Sequence, residues 1–423
     1  MNQRIATRDE FRAPAATKRT WLARMVLARL SALQDGVLEL HESGHRHTLG
    51  TPAADGLRAR LDVHDARFWK AVARHGSIGA GEAYAEGWWS SPAPQDVVRL
   101  MVRNHSVLEG VDGGLAKLAA PFRRFTHFLR RNTQAGSREN ISAHYDFSNE
   151  FFALFLDDTL TYSCGIYERE DSTLREASIA KIDRLCRKLD LQPGDHLLEI
   201  GTGWGAFALH AAREYGCRVT TTTISREQHD FAAERFAASG VGDRIELLLA
   251  DYRTLEGQYD KLVSVEMIEA VGHQFYDTFH RRCMELLKPN GRMAIQAITI
   301  ADQHYERAKH AVDFIQAHIF PGSCIPSVTA LLSSATRASD LKLVHLEDIG
   351  THYVPTLAQW RRNLRENQDR AKALGFDDRV LRLWEFYFVY CEGGFAERHI
   401  SDVQMVLSRP AERGAPILPA LAG

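Results

Sequence analysis

With 423 residues, 45% hydrophobic and 25% charged, the chain has the composition of a soluble globular protein and is too long for one ordinary core, so two domains are expected. No apolar run reaches the roughly 20 residues that span a bilayer, and the opening Met-Asn-Gln-Arg, with Asp9, Glu10 and Arg12 close behind, has no signal-peptide core. A cytoplasmic location is therefore expected, without a nucleic-acid partner. The net charge of −2 conceals an asymmetry, because residues 1–138 hold 21 Lys and Arg against 13 Asp and Glu while the remainder holds 31 against 41. Six cysteines at 164, 186, 217, 283, 324 and 391 lack paired spacing, which reads as reduced thiols rather than bridges or a metal site.

In chain order, the first dozen or so residues are polar. Residues 21–33 place Leu22, Val26, Leu30 and Leu33 at i, i+4, i+8 and i+11, the period of an amphipathic helix. Residues 36–42 and 57–63 alternate apolar and polar side chains and predict two half-buried strands. Residues 68–74 and the glycine-rich run after them lead to a helix around 97–103, so this part reads as a small α+β module. Leu118, Phe122, Phe125 and Leu129 then repeat at helical spacing among Arg123, Arg124, Arg130 and Arg131. Two readings of this basic helix stand side by side: a domain-packing helix with solvated arginines, and contact with anionic membrane headgroups. The polar stretch 132–138 reads as an interdomain linker.

The second half is organised around residues 195–205, Asp-His-Leu-Leu-Glu-Ile-Gly-Thr-Gly-Trp-Gly. A short apolar run carries Glu199, glycines 201, 203 and 205 turn the chain, and residues 206–213 have a helical pattern. Strand, glycine loop and helix in that order suit a nucleotide-like cofactor: Gly201 and Gly203 permit positive φ and close approach, and the helix start offers free N–H groups. Runs at 217–223, 244–249, 261–265 and 291–299 predict further strands with helices between them, as parallel β-α units require. Residues 314–320, 327–338 and 357–373 read as helices that either roof a hydrophobic slot or bury one another. Residues 341–347 and 403–408 read as the last two strands.

The spacing Gly-Thr-Gly-Trp-Gly resembles motif I of S-adenosylmethionine-dependent methyltransferases rather than the Gly-x-Gly-x-x-Gly of dinucleotide enzymes. Five further segments accompany it in order: His144-Tyr145-Asp146, Thr161-Tyr162-Ser163-Cys164, Thr-Ile-Ser-Arg-Glu-Gln at 223–228, Met-Ile-Glu-Ala-Val-Gly at 267–272 and Tyr-Cys-Glu-Gly-Gly-Phe at 390–395. Together they resemble the cyclopropane-fatty-acyl-phospholipid synthase family, which includes the mycolic acid cyclopropane synthases. The likeness is strong over roughly 140–410 and looser in the N-terminal module. It implies an α/β fold: a Rossmann-like class I methyltransferase domain at 139–423, with a doubly wound, mostly parallel seven-stranded sheet, preceded at 1–138 by a smaller α+β domain for lipid or membrane association.

The resemblance also implies a chemistry. The methyl of the S-adenosylmethionine sulfonium is attacked by the π-bond of an unsaturated phospholipid acyl chain, and the resulting cation closes a cyclopropane by losing a proton from the delivered methyl. Water must be kept away from that cation. The family's base is a bound bicarbonate ion, whose pocket maps here onto Cys164, Glu269, the backbone around Ile298, and Tyr353. Many members have histidine where this chain has Gln296, and glutamine does not titrate, so a shared proton would rest on Glu269 or Tyr353. Cys164 and Cys391 are expected in hydrogen-bonding or packing roles, since a thiolate would compete with the alkene for the methyl group. Glu266 has no role to inherit and reads as structural.

For the cofactor the likeness implies Glu199, Gly201, Gly203 and Gly205, with Thr223, Ser225 and Gln228 where many methyltransferases carry an acid for the ribose. Asp251, Tyr252 and Arg253 would lie beside adenine, and Tyr162 with Ser163 would close over the sulfonium, to which an aromatic face is favourable. His144 and Tyr145 are either site-closing or buried structural groups. Peripheral contact with an anionic membrane surface is expected, and the oligomeric state is open, a homodimer included. Competing readings are a methyl-branched or methylene product, a small-molecule amine methyltransferase, and a non-catalytic lipid-binding protein, the last disfavoured by the intact glycine loop.

Overall fold

Thr20 caps the first helix, α1 (Trp21–Leu30), by accepting from the Ala23 N–H at 3.2 Å. The helix buries Ala23, Val26 and Leu30 and ends before the apolar repeat does, Leu33 entering the core from the turn beyond. β1 (Gly36–Glu42) and β3 (Arg58–Val63) fill the two expected runs and pair in parallel. Between them β2 (His45–Thr51) returns antiparallel through Ser43 and Gly44, both at positive φ. The sequence does not predict β2, because a largely exposed edge strand carries no apolar alternation. Next come α2 (Arg67–Ala85), broken at Gly76, then β4 (Trp89–Ser90), α3 (Pro94–Arg103) and α4 (His105–Asp112), giving a sheet ordered β2-β1-β3-β4.

The computed structural model describes residues 20–112, 148–415 and 417. The basic helix expected at 118–131, the linker at 132–138, and His144, Tyr145 and Asp146 lie outside the described residues.

From 148 the chain forms α5 (Asn149–Phe152) and α6 (Leu174–Leu189), the latter opened by a reciprocal Thr173 and Glu176 capping box. β5 (His196–Ile200), α7 (Ala206–Glu214), β6 (Arg218–Thr223), α8 (Arg226–Ala237), β7 (Ile245–Leu249), β8 (Tyr259–Val265), α9 (Tyr276–Leu286) and β9 (Leu287–Ile300) follow. The chain continues through α10 (Asp302–Ala308), α11 (Phe314–His318), α12 (Val328–Ala338), β10 (Lys342–Asp348), α13 (Tyr353–Glu366), α14 (Gln368–Ala373), α15 (Asp378–Ala396) and β11 (Ile400–Ser408). The helix expected at 357–373 begins at Tyr353 and breaks at Asn367. Strand order is β10-β11-β9-β8-β5-β6-β7, with β5 to β9 parallel and β11 antiparallel to both neighbours. This is the doubly wound α/β sheet of class I methyltransferases, and its order reverses at β5, where such sheets open a crevice for ligands.

One apolar core joins the small sheet to the C-terminal helices, running from Leu38, Trp69 and Trp89 through Phe314 and Phe386 to Phe388 and Phe152. Ring centroids lie 5.5 Å apart for Tyr84 and Phe386 and 4.8 Å apart for Phe314 and Phe386. Each such buried ring is worth about 1.5–3 kcal/mol. Gly81 of α2 sits so close to the Phe314 ring that a Cβ there has no room, and Gly393 of α15 presses on Val98 of α3 in the same way. Arg99 and Arg103 of α3 donate to the two carboxylate oxygens of Glu397 at 2.7 and 2.5 Å. No helix among the described residues is long and apolar enough to cross a membrane.

Candidate active site

The turn from β5 into α7 forms one end of a cavity of about 550 Å3, at the C-terminal ends of β5, β6 and β8. Gly201, Gly203 and Gly205 take φ of 105°, 52° and 87°. Their surroundings differ: a Cβ on Gly203 would meet nothing within 4 Å, whereas one on Gly205 would strike the Phe236 ring. Behind the loop Glu199 is buried and accepts from the Thr221 hydroxyl at 2.6 Å, and burial pushes its carboxyl up to about 8. Thr223 donates to Gln228 Oε1 at 2.9 Å, and both line the cavity. Ser225 is placed differently: it caps α8 by accepting from the Gln228 N–H at 3.2 Å and does not line the cavity. Asp251 is gripped by Arg253 through Nε at 2.8 Å and Nη2 at 2.6 Å, and the pair borders the cavity with Tyr252.

The opposite end is aromatic. Tyr162 donates to the Tyr387 hydroxyl at 3.1 Å, and its ring lies 5.2 Å from Trp360 and 6.4 Å from Phe320. Ser163 accepts from the buried Lys181 ammonium at 2.7 Å. Phe320, Tyr390, Cys391 and Phe395 continue the wall. Of the three stretches expected either to roof a slot or to bury one another, 314–320 lines the cavity. Residues 327–338 and 357–373 instead bury their apolar faces in the two cores, through Leu331 and Ala335 and through Leu357, Trp360 and Leu364. The wall comes instead from α15, whose aromatic face the sequence pattern did not assign to a helix.

Between the two ends stand Glu266 and Glu269. Glu269 Oε1 accepts from the Ile298 N–H at 2.5 Å, while its buried Oε2 has no partner among the described residues. Burial, and then the neighbouring Glu266, push the Glu269 carboxyl up to about 8. Glu266 Oε1 accepts from the Cys164 N–H at 2.9 Å and from Gln296 Nε2 at 2.8 Å, and Oε2 accepts from the Tyr353 hydroxyl at 2.6 Å. Cys164 and Gln296 do not line the cavity. The Cys164 thiol is fully buried, aimed at the carbonyls of Gly165 and Ile349, and burial raises it well above the usual thiol range. Cys391, at the cavity wall, is raised by burial as well, so neither thiol is poised as a nucleophile.

These contacts test the expected anion pocket. The pocket mapped for bicarbonate was Cys164, Glu269, the backbone around Ile298 and Tyr353, with Gln296 beside it; the donors there are the peptide N–H groups of Cys164 and Ile298, the Gln296 amide and the Tyr353 hydroxyl. Every one of them is taken by a carboxylate of the chain itself, three by Glu266 and one by Glu269. Bicarbonate fits this arrangement poorly: these four donors are already engaged, and a second anion would sit against the Glu266 carboxylate.

The family model described as mycolic acid cyclopropane synthetase matches residues 132–405. This chain belongs to that family. Our family member is 38% identical to the tuberculostearic acid methyltransferase of Mycobacterium tuberculosis, over 85% of this chain and 85% of that protein. It is 33% identical to the cyclopropane-fatty-acyl-phospholipid synthase of Escherichia coli K12, over 84% of this chain and 89% of that one. A solved mycolic acid cyclopropane synthase in complex with SAH and CTAB aligns with a TM-score of 0.60 at 33% identity, covering 64% of this chain and 98% of that chain. The family member is thus an S-adenosylmethionine-dependent methyltransferase.

Sequence reasoning missed the polar layer beneath Glu266. Asp402 and Gln404 project from β11; Asp402 Oδ2 accepts from Gln296 Nε2 at 2.9 Å, and Gln404 Nε2 donates to Gln296 Oε1 at 3.0 Å. Burial and Glu266 together hold the Asp402 carboxyl well above the usual range. Lys188, fully buried, donates to Gln404 Oε1 at 2.7 Å and to Glu347 at 2.5 Å. Two polar residues at i and i+2 inside the apolar strand at 403–408 and its approach were the signal available.

Proposed function

We propose that this methyltransferase alkylates the double bond of an unsaturated phospholipid acyl chain and closes the product to a cyclopropane. The observation that carries the reading is the single cavity joining the glycine loop to an aromatic slot, with carboxylates at the junction. The open space at Gly203 suits a ligand lying against backbone, so S-adenosylmethionine would rest on Gly201 to Gly205, with Thr223, Gln228, Asp251 and Tyr252 toward its nucleoside. When bound, it supplies a methyl group on a positively charged sulfur. Tyr162, tethered to Tyr387, would orient that end, and the rings of Phe320, Tyr387 and Phe395 would exclude water while presenting π-faces to a cation on the acyl chain. Glu269, its carboxyl raised to about 8, stands there as a neutral acid at pH 7.

A second reading, a methylene or methyl-branched chain, is favoured by the tuberculostearic acid methyltransferase among the relatives; both products begin with the same alkylation. Lipid mass spectrometry of cells expressing the chain, with labelled methionine methyl, tests both. Acyl chains that gain one carbon and two hydrogens and no longer take up hydrogen under mild catalysis support the ring, a surviving double bond or a gain of one carbon and four hydrogens supports the second reading, and label absent from acyl chains defeats both.

We further propose that residues 1–138 form a lipid-association domain ahead of a catalytic domain at 139–423, and that the protein binds anionic bilayers peripherally. The support is the cationic excess of that segment, 21 basic against 13 acidic residues. Co-sedimentation with anionic vesicles should fall as salt rises, and also when Arg123, Arg124, Arg130 and Arg131 become glutamine, by up to about 1 kcal/mol for each charge that reaches the surface. Binding indifferent to salt would defeat this reading.

A further inference from the structure

Glu266 is the one residue on which the donors of the expected anion pocket converge. Cys164 N–H, Gln296 Nε2 and Tyr353 Oη reach it from three separate parts of the chain, at 2.9, 2.8 and 2.6 Å. Its carboxylate has the shape, charge and acceptor pattern of a bicarbonate ion, and it borders the cavity beside Ile298 and Glu269. The backbone is committed to this placement. Glu266 has φ of 46°, a region open to glycine and uncommon for a side chain of this size, and its N–H is anchored to the Gln296 carbonyl at 2.8 Å.

The direction of these hydrogen bonds is dictated from α6, through Lys188. A charged lysine can only donate, so Lys188 turns the carbonyl end of Gln404 toward itself. The Gln404 amide nitrogen must then face Gln296 Oε1, which leaves Gln296 Nε2 pointing at Glu266 and Asp402. The neighbouring carboxyls of Asp402 and Glu269 are both raised, by burial first and then by Glu266. Pairs of acids whose surroundings differ in this way divide into a proton holder and a proton acceptor.

We propose that the Glu266 carboxylate is the built-in base of this enzyme, standing where relatives would hold bicarbonate. The proposal rests on the alkene-alkylating function above. The alkene π-pair forms the new bond to the methyl carbon and the carbon–sulfur pair leaves with sulfur. A C–H bond of the delivered methyl then breaks, its electron pair closes the third side of the ring, and the proton goes to Glu266. Cys164, Gln296, Tyr353, Gln404 and Lys188 are positioning residues.

The test uses the full chain, vesicles of an unsaturated phosphatidylglycerol and methyl-labelled S-adenosylmethionine, in buffer stripped of carbon dioxide and again with added sodium bicarbonate. The wild-type rate should be the same in both. Glu266→Gln and Glu266→Gly should bind S-adenosylmethionine normally by calorimetry and lose turnover by roughly 10²–10⁴-fold, the range for a lost general base. Added bicarbonate should restore part of the rate to Glu266→Gly, which vacates the space, and none to Glu266→Gln, which still fills it. A wild-type enzyme that stalls without bicarbonate and recovers with it overturns the proposal, whatever the variants do. So does a Glu266→Gln enzyme at the wild-type rate. A wild-type enzyme that labels no acyl chain in either buffer defeats the parent function, and this inference with it.

Discussion

The two ends of the cavity are built by different means. At the glycine end, Glu199 to Gly205, Thr223 to Gln228 and Asp251 to Arg253 are three short contiguous segments, each at the end of a neighbouring parallel strand. Toward the other end, Cys164, Glu266, Gln296, Tyr353 and Asp402 come from five separate parts of the chain and meet through side chains and the Cys164 peptide N–H. The first end depends on backbone shape, and a single bulky side chain should close it. The second depends on a chain of oriented hydrogen bonds, and should fail by degrees according to which link is cut.

The sharpest break is Gly203→Val. Its branched side chain would enter the open space beside the loop, in a backbone region that favours glycine. S-adenosylmethionine affinity in a calorimetric titration should fall at least about 100-fold, about 2.7 kcal/mol, while the circular dichroism spectrum stays that of the parent. Normal affinity would remove the loop from the binding site.

Cutting the far end should do less. Lys188→Met keeps the volume but removes the donor that orients Gln404, so Gln296 would be free to flip. We expect turnover to fall about tenfold, the scale of one misdirected buried hydrogen bond, with cofactor affinity unchanged. Equal loss of both would mean that the lysine serves the fold rather than the base.

Glu269→Gln should leave cofactor binding alone and show itself in stability against pH. Glu269 and Glu199 are each raised from 4.5 to about 8, so the folded state binds more protons than the unfolded one between those values. The stability they contribute is full below about 4.5 and is lost as pH rises through about 8. The wild-type Tm should therefore decline across that window, and Glu269→Gln, which retains only the Glu199 share, should decline less, by ~2 °C or more at the alkaline side. Parallel curves would place Glu269 in water.

The same contrast explains what was legible in the sequence. The sheet, the glycine loop and the segments expected to face the cofactor are local patterns of strand alternation and turn residues, and those segments border the cavity apart from Gly205, which packs against Phe236, and Ser225, whose hydroxyl caps a helix. The base end was partly legible, because Glu269, Ile298 and Tyr353 do meet at the cavity. Glu266 was passed over because a positive φ on a glutamate leaves no trace in composition. Lys181 and Lys188 were available as lysines on the apolar stripe of α6, and Asp402 and Gln404 as an alternating polar pair, yet each acquires meaning only from partners more than 100 residues away, save Ser163 for Lys181. α15 escaped because the run Phe386-Tyr-Phe-Val-Tyr has the composition of a strand, while its burial follows a helix.

The unbroken core between the small sheet and the C-terminal helices has a mechanical consequence. Gly81 rests on Phe314 and Phe386, and Gly393 on Val98, in direct contact at those points. Phe314 opens the short helix that carries Ile315 to the cavity wall. Displacing the small sheet would therefore disturb the packing of Phe314 and, through it, the cavity wall at Ile315.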